Sequence, residues 1–157
     1  MHIILEIMHI SLYNKYNYIF IYERGAFMTR KMAREEAFIL IFEKVFSKES
    51  VEDILDLAFE ARDLVPDEYI KTVFTGVYEK VEELDNIISE NAVGWKIERI
   101  SKTALCVLRL AIYEMKNMDD IPVSVSINEA VEICKKYATE ADASFVNGIL
   151  STVAKKG

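Results

Sequence analysis

The chain has 157 residues, 52% of them hydrophobic and 29% charged, which is enough for one domain with a true core or two small packed subdomains. Its net charge of −7 makes the molecule repel polyanions as a whole, so a sequence-indifferent basic nucleic-acid coat is excluded. Five Gly and two Pro leave few sites for tight turns, which argues for helices joined by short loops.

Residues 1–27, MHIILEIMHISLYNKYNYIFIYERGAF, differ in composition from the rest of the chain. Glu6 interrupts the apolar run where a signal peptide would need a positive start. Asn14, Lys15 and Asn17 break it well short of the ~20 apolar residues of a membrane span. The expectation is a non-core N-terminal extension, with the working protein beginning at Met28.

From Met28 onward a period of 3.6 residues holds. Phe38, Ile41, Phe42, Val45 and Phe46 form the stripe of a first helix over residues 31–47. Ser50-x-x-Asp53 resembles a capping box and opens a second helix with Ile54, Leu57, Ala58 and Ala61 inward. Pro66 suits the first turn of a third, long helix that carries Tyr69, Ile70, Val73, Phe74, Val77, Val81, Leu84 and Ile88 as far as Asn91–Gly94. After a short turn at Trp95 and Ile97, Ser101 caps a helix with Leu105, Leu108, Ala111, Ile112 and Met115 on its stripe. Asp119, Asp120 and Pro122 end it, and two more helices follow over 123–137 and 142–154. The expected fold is all-α, with about seven helices in two packed halves, residues 28–94 and 95–157.

Charge is unevenly spread. Between residues 49 and 90, thirteen Asp or Glu stand against Arg62, Lys71 and Lys80, whereas Arg30, Lys31 and Arg34 share the run 28–34 with no acid. Cations at a helix N-terminus oppose the macrodipole, so this run is either a solvated helix start or an edge that contacts phosphates. Arg109, set inside LCVLRLAIYE, needs a carboxylate, for which Glu129 and Glu114 are the candidates. Asn147-Gly148 interrupts the apolar helix of Phe145, Val146, Ile149 and Leu150. Either the glycine admits a close-packed neighbour, or the pair belongs to a binding surface on which Asn147 pairs with a base edge and Phe145 stacks. Cys106 and Cys134 lack C-x-x-C spacing and read as buried thiols. Both histidines, His2 and His9, lie in the extension, and the phosphate-binding glycine motifs are missing. No cofactor, metal site or catalytic constellation is therefore expected.

RKMAREEAFILIFEKVF, GWKIERISKTALCVLRLAIYEM and DDIPVSVSINEAVEICKKYATEADASFVNGIL together resemble the bacterial NusB transcription antitermination family. The resemblance covers residues 28–155. It implies two three-helix-bundle-like halves and binding of boxA RNA in ribosomal-RNA leader transcripts. It further implies partnership with NusE, a small-subunit ribosomal protein, within the antitermination complex of RNA polymerase in the cytoplasm, with no enzymatic activity. Position by position, Arg30, Lys31 and Arg34 match the family's basic RNA-binding edge, Phe145 and Asn147 its F-V-N-G segment near the RNA, and Phe42 an aromatic position facing NusE. Ser144, Ser124, Ala104 and Leu105 depart from the family pattern. Ala104 and Leu105 stand where charged residues meet NusE, and an apolar surface pair there would favour a homodimer. The rival reading is a helical adaptor whose acidic segment 49–90 attracts a basic ribosomal protein without touching RNA.

Overall fold

A computed structural model describes residues 28–61, 64 and 66–157. The expected extension over residues 1–27 lies outside them. Among the described residues there are seven α-helices, one 3-10 turn and no strand: α1 Arg30–Phe46, α2 Val51–Ala61, α3 Glu68–Glu79, α4 Val81–Asn91, the 3-10 turn Ile97–Arg99, α5 Lys102–Asn117, α6 Val123–Tyr137 and α7 Glu140–Lys156. None of these helices is long and apolar enough to cross a membrane. Two compact units divide between Lys71 and Thr72, inside α3, whereas the sequence reading divided its halves after Gly94.

The first unit holds α1, α2 and the first turn of α3. Thr29 starts α1 by accepting a hydrogen bond from the Met32 amide at 3.2 Å. Ser50 caps α2 through the Asp53 amide at 3.0 Å, which is one half of the expected capping box. Pro66 does not open α3; Asp67 does, with its carboxylate accepting from the Ile70 amide at 3.1 Å. On α1 the buried residues run without a gap from Ala37 to Ile41. On α2 only Ile54, Leu55 and Ala58 are buried. Phe46, Leu57 and Ala61, assigned inward by their spacing, are exposed: Phe46 and Ala61 are the last residues of their helices, and Leu57 falls beside the buried arc of Ile54, Leu55 and Ala58.

In the second unit α5 is the central helix, packed against α4, α6 and α7. Ten of its positions between Ala104 and Glu114 are buried. Ser101 caps it as expected, accepting from the Ala104 amide at 3.1 Å. The long third helix of the sequence reading is instead two, separated at Lys80, whose φ of −112° and ψ of 17° leave the helical region. No Gly or Pro marks that break. The hydrogen bonds from the Lys80 amide to the Gly76 carbonyl and from the Leu84 amide to the Lys80 carbonyl keep the two segments nearly continuous.

Among the described residues, Gly76 is there for close approach. A Cβ added to it would run into the phenol of Tyr113 on α5. Around Gly148, by contrast, an added Cβ meets no heavy atom within 4 Å. Close packing therefore explains Gly76, and the packing alternative for Gly148 is overturned.

Candidate nucleic-acid and partner surfaces

In the first unit, Arg30 and Lys31 are exposed on the opening turn of α1. The Arg30 guanidinium carbon lies 4.5 Å from the centroid of the Tyr69 ring, a cation–π contact that fixes the side chain and leaves its charge near the surface. Arg34 behaves differently. It is 3% exposed, with its guanidinium 5.8 Å from the same ring. The expectation that Arg34 forms part of an exposed phosphate-contacting edge is corrected. It occupies the same helical stripe as Ala37, Phe38 and Ile41, so the packing of that stripe draws it inward.

Phe42 is half-buried in an aromatic row on α1, 6.1 Å from Phe38 and 5.2 Å from Phe46 between ring centroids. Phe46 is half exposed at the end of that row. The row thus grades from core to surface along one face, with Phe42 in the middle.

In the second unit, α7 buries Ala143, Val146, Ile149, Leu150 and Val153, and presents Ser144, Asn147 and Gly148 outward. Asn147 is therefore on the surface, as its site assignment requires. Phe145 is half-buried at the edge of this face, and its ring stands 5.6 Å from that of Trp95 at an interplanar angle of 61°. Trp95 itself is 53% exposed, and Val93 beside it is 88% exposed. Gly94 between them has φ of +82°, a left-handed conformation that a residue with Cβ adopts at a cost. The Trp95 amide donates to the Ala92 carbonyl at 3.0 Å, which closes the turn from which the indole projects. Sequence reasoning passed over Trp95 as a connecting residue. Its signal was a large aromatic between a glycine and a lysine, outside any helical stripe.

Ala104 and Leu105 do not form a surface. They are 0% and 4% exposed, so the expected apolar surface pair, and with it the route to a homodimer, is corrected. Both fall on the stripe with Leu108, Ala111 and Ile112, and that periodicity overrides the charged character of the family position. Neither is available to meet NusE.

Arg109 is held by Asp85, not by Glu114 or Glu129. Nε and Nη2 donate to the two carboxylate oxygens, each at 2.8 Å, joining α5 to α4. Their side chains are 12% and 28% exposed. Burial works against the guanidinium charge, but the hydrogen bonds and charge of Asp85 outweigh it and hold Arg109 above its ordinary value. Burial also raises the nearby Tyr78 phenol and pushes the Cys106 thiol up to about 12. Glu114, wholly buried, accepts from Ser126 Oγ at 2.6 Å and so ties α5 to α6. These are packing devices, and Arg109 is a staple between helices.

The model of the NusB family matches residues 31–155. Transcription antitermination protein NusB of Ruminiclostridium cellulolyticum is 47% identical over 130 residues, which span 82% of this chain and 90% of that protein. Among solved structures, T. maritima NusB superposes with a TM-score of 0.74 at 34% identity, covering 82% of this chain and 92% of that one. A complex of antitermination factors NusB and NusE with dsRNA gives a TM-score of 0.71 at 27% identity, covering 82% and 97%. The family model spans most of the chain, and the solved structures it resembles share its all-helical fold. The chain belongs to the NusB family.

Proposed function

We propose that this chain is a transcription antitermination factor that binds boxA RNA of ribosomal-RNA leader transcripts together with NusE, in the cytoplasm, and so promotes readthrough by RNA polymerase. The observation that carries the reading is an exposed pair of cations, Arg30 and Lys31, opening α1 on a chain of net charge −7. A net-acidic protein binds RNA only where positive charge is locally concentrated, and a family relative is solved with NusE and dsRNA.

On this reading Arg30 and Lys31 contact phosphates, with Arg34 and Tyr69 supporting them from below. Phe145 stacks a base of single-stranded RNA and Asn147 offers its amide to a base edge, since sequence-specific readout of RNA falls mostly on unpaired bases. Phe42 and Phe46 give NusE an aromatic face. The mechanism is binding alone, with no chemical step.

The exposed acids of α2, Glu52, Asp53, Asp56 and Glu60, favour the second reading, an adaptor for a basic ribosomal protein without RNA contact. Fluorescence anisotropy of labelled single-stranded boxA RNA and of a duplex control, with and without NusE across a salt series, separates the two. The antitermination reading expects NusE-enhanced binding whose salt slope falls by about 0.7 for each phosphate no longer neutralised in the Arg30→Ala, Lys31→Ala double variant. An unchanged slope would remove the basic edge from the site. A stable NusE complex that ignores RNA would move the function to the adaptor.

A further inference from the structure

The turn between α4 and α5 carries a feature that the basic edge of α1 does not explain. Its indole is half exposed and stands tilted against Phe145, an arrangement in which each ring covers little of the other. Lys96, Arg99 and Lys102, all exposed, follow it within seven residues and share that stretch with a single acid, Glu98. The Arg99 amide donates to the Lys96 carbonyl at 2.9 Å, so both residues belong to one closed 3-10 turn.

We infer that Trp95 and Phe145 form a stacking site for one unpaired RNA base, with Lys96, Arg99 and Lys102 holding the phosphates on either side of it. The inference rests on the RNA-binding reading above and extends it from Phe145 to a two-ring site with its own phosphate contacts. Two observations select RNA over a protein partner. Lysine is depleted from protein–protein interfaces, whereas cations interleaved with exposed aromatics are the arrangement that tracks a single strand. The local positive charge also stands out against the net charge of −7 of the whole chain, so this is a stretch on which a polyanionic backbone can be held. The left-handed Gly94 and the bond from the Trp95 amide to the Ala92 carbonyl fix the backbone that carries the indole, and the Phe145 ring touches it on one side, which lowers the ordering cost of binding.

Trp95 is the chain's single tryptophan, so it reports on its own site. The full chain is titrated with fluorescein-labelled single-stranded boxA RNA, with and without NusE, following RNA anisotropy and indole emission together. The expected result is quenching of Trp95 in step with the anisotropy. Trp95→Ala weakens binding about 5- to 150-fold, the range spanned by single base–aromatic stacks, with the salt slope unchanged. Trp95→Phe retains most of the affinity, because a smaller ring still stacks. Lys96→Ala with Arg99→Ala lowers the salt slope while Trp95 is still quenched. Full-affinity binding by Trp95→Ala, with unquenched indole in the wild-type complex, would overturn this site and leave the RNA-binding reading standing. No RNA binding by the wild-type chain under either condition would overturn both.

Discussion

Gly76→Ala and Gly148→Ala should move stability in opposite directions, although both replace a helical glycine by the best helix former. At Gly148 the new methyl enters open space, so only the backbone terms act. The variant gains about 0.5–1 kcal/mol from the reduced conformational freedom of the unfolded chain and from helix propensity. For a chain of this size that raises the midpoint of thermal unfolding by about 1–4 °C. At Gly76 the same gain is present, but the methyl meets the ring of Tyr113, which is buried and anchored on the central helix α5. A ring cannot swing aside as a flexible side-chain end can, so α3 must lift from α5 at the upper end of the overpacking range, about 3 kcal/mol. The net loss is about 2 kcal/mol, and the midpoint falls by about 4–8 °C. Circular dichroism at the helical minimum, in parallel melts, measures both. A Gly76→Ala protein as stable as the wild type would refute the packing argument. A destabilised Gly148→Ala protein would refute the assignment of that position to an open surface.

Replacing Arg109 by Ala strands the Asp85 carboxylate between α4 and α5 and should cost about 2 kcal/mol in chemical denaturation, most of it recovered when Asp85→Asn is added. Arg109→Lys should restore little, since an ammonium cannot make the two-point contact. The thiols set an alkaline limit. Cys106 and Cys134 are pushed by burial from an ordinary value of 9.0 up to about 12, so the folded state keeps protons that the unfolded state gives up. Stability is unaffected below pH 9 and falls between pH 9 and about 12, by at most ~1.4 kcal/mol per pH unit for each thiol. Urea melts at pH 8 and pH 10.5 of the wild type and of the Cys106→Ala, Cys134→Ala double variant would show it, with a difference that is the same at both pH values counting against the assignment. At pH 8 neither thiol of the folded chain should react with a disulfide reagent until denaturant is added.

Much of the helical order was legible because helix caps and apolar stripes are local. Ser50 and Ser101 announce their helices within three residues, and the hydrogen bonds they accept are those expected. What failed was long-range or counter to a family habit. Arg109 finds Asp85, 24 residues earlier, because helix-to-helix neighbours are set by packing and no periodicity names them. Arg34, Ala104 and Leu105 are more instructive, since their own sequence carried the correct answer. Arg34 precedes Ala37, Phe38 and Ile41 by three, four and seven residues, the spacing of one buried face. Ala104 and Leu105 stand in the same relation to Leu108, Ala111 and Ile112. For Ala104 and Leu105 the resemblance supplied a surface role, and for Arg34 the run of charge supplied it as well; in each case the periodicity, which is physical, outweighed it. Gly76 and Gly148 were inseparable in sequence, because only the neighbouring helix shows which glycine has a ring above it.

The acidic body and the basic segments are compatible because charge acts over a short range in salt. At physiological ionic strength the Debye length is about 8 Å, so exposed acids more than a turn or two away scarcely offset a cation at its own phosphate. The net charge of −7 then weakens encounter with RNA in general without weakening a bound contact in proportion. Each basic segment also lies beside rings: Arg30 against the buried Tyr69 in the first unit, and Lys96 and its neighbours next to the accessible Trp95 and Phe145 in the second. Accessible rings contribute binding that salt does not screen, whereas the cations contribute binding that it does. If both segments bind RNA as proposed, stripping Trp95 and Phe145 should lower affinity at every salt concentration by the same factor. Stripping the cations should lower it most at low salt and least at high salt. That separation of a parallel shift from a change of slope is the quantitative signature of a binding surface made of a few cations beside a few stacking rings.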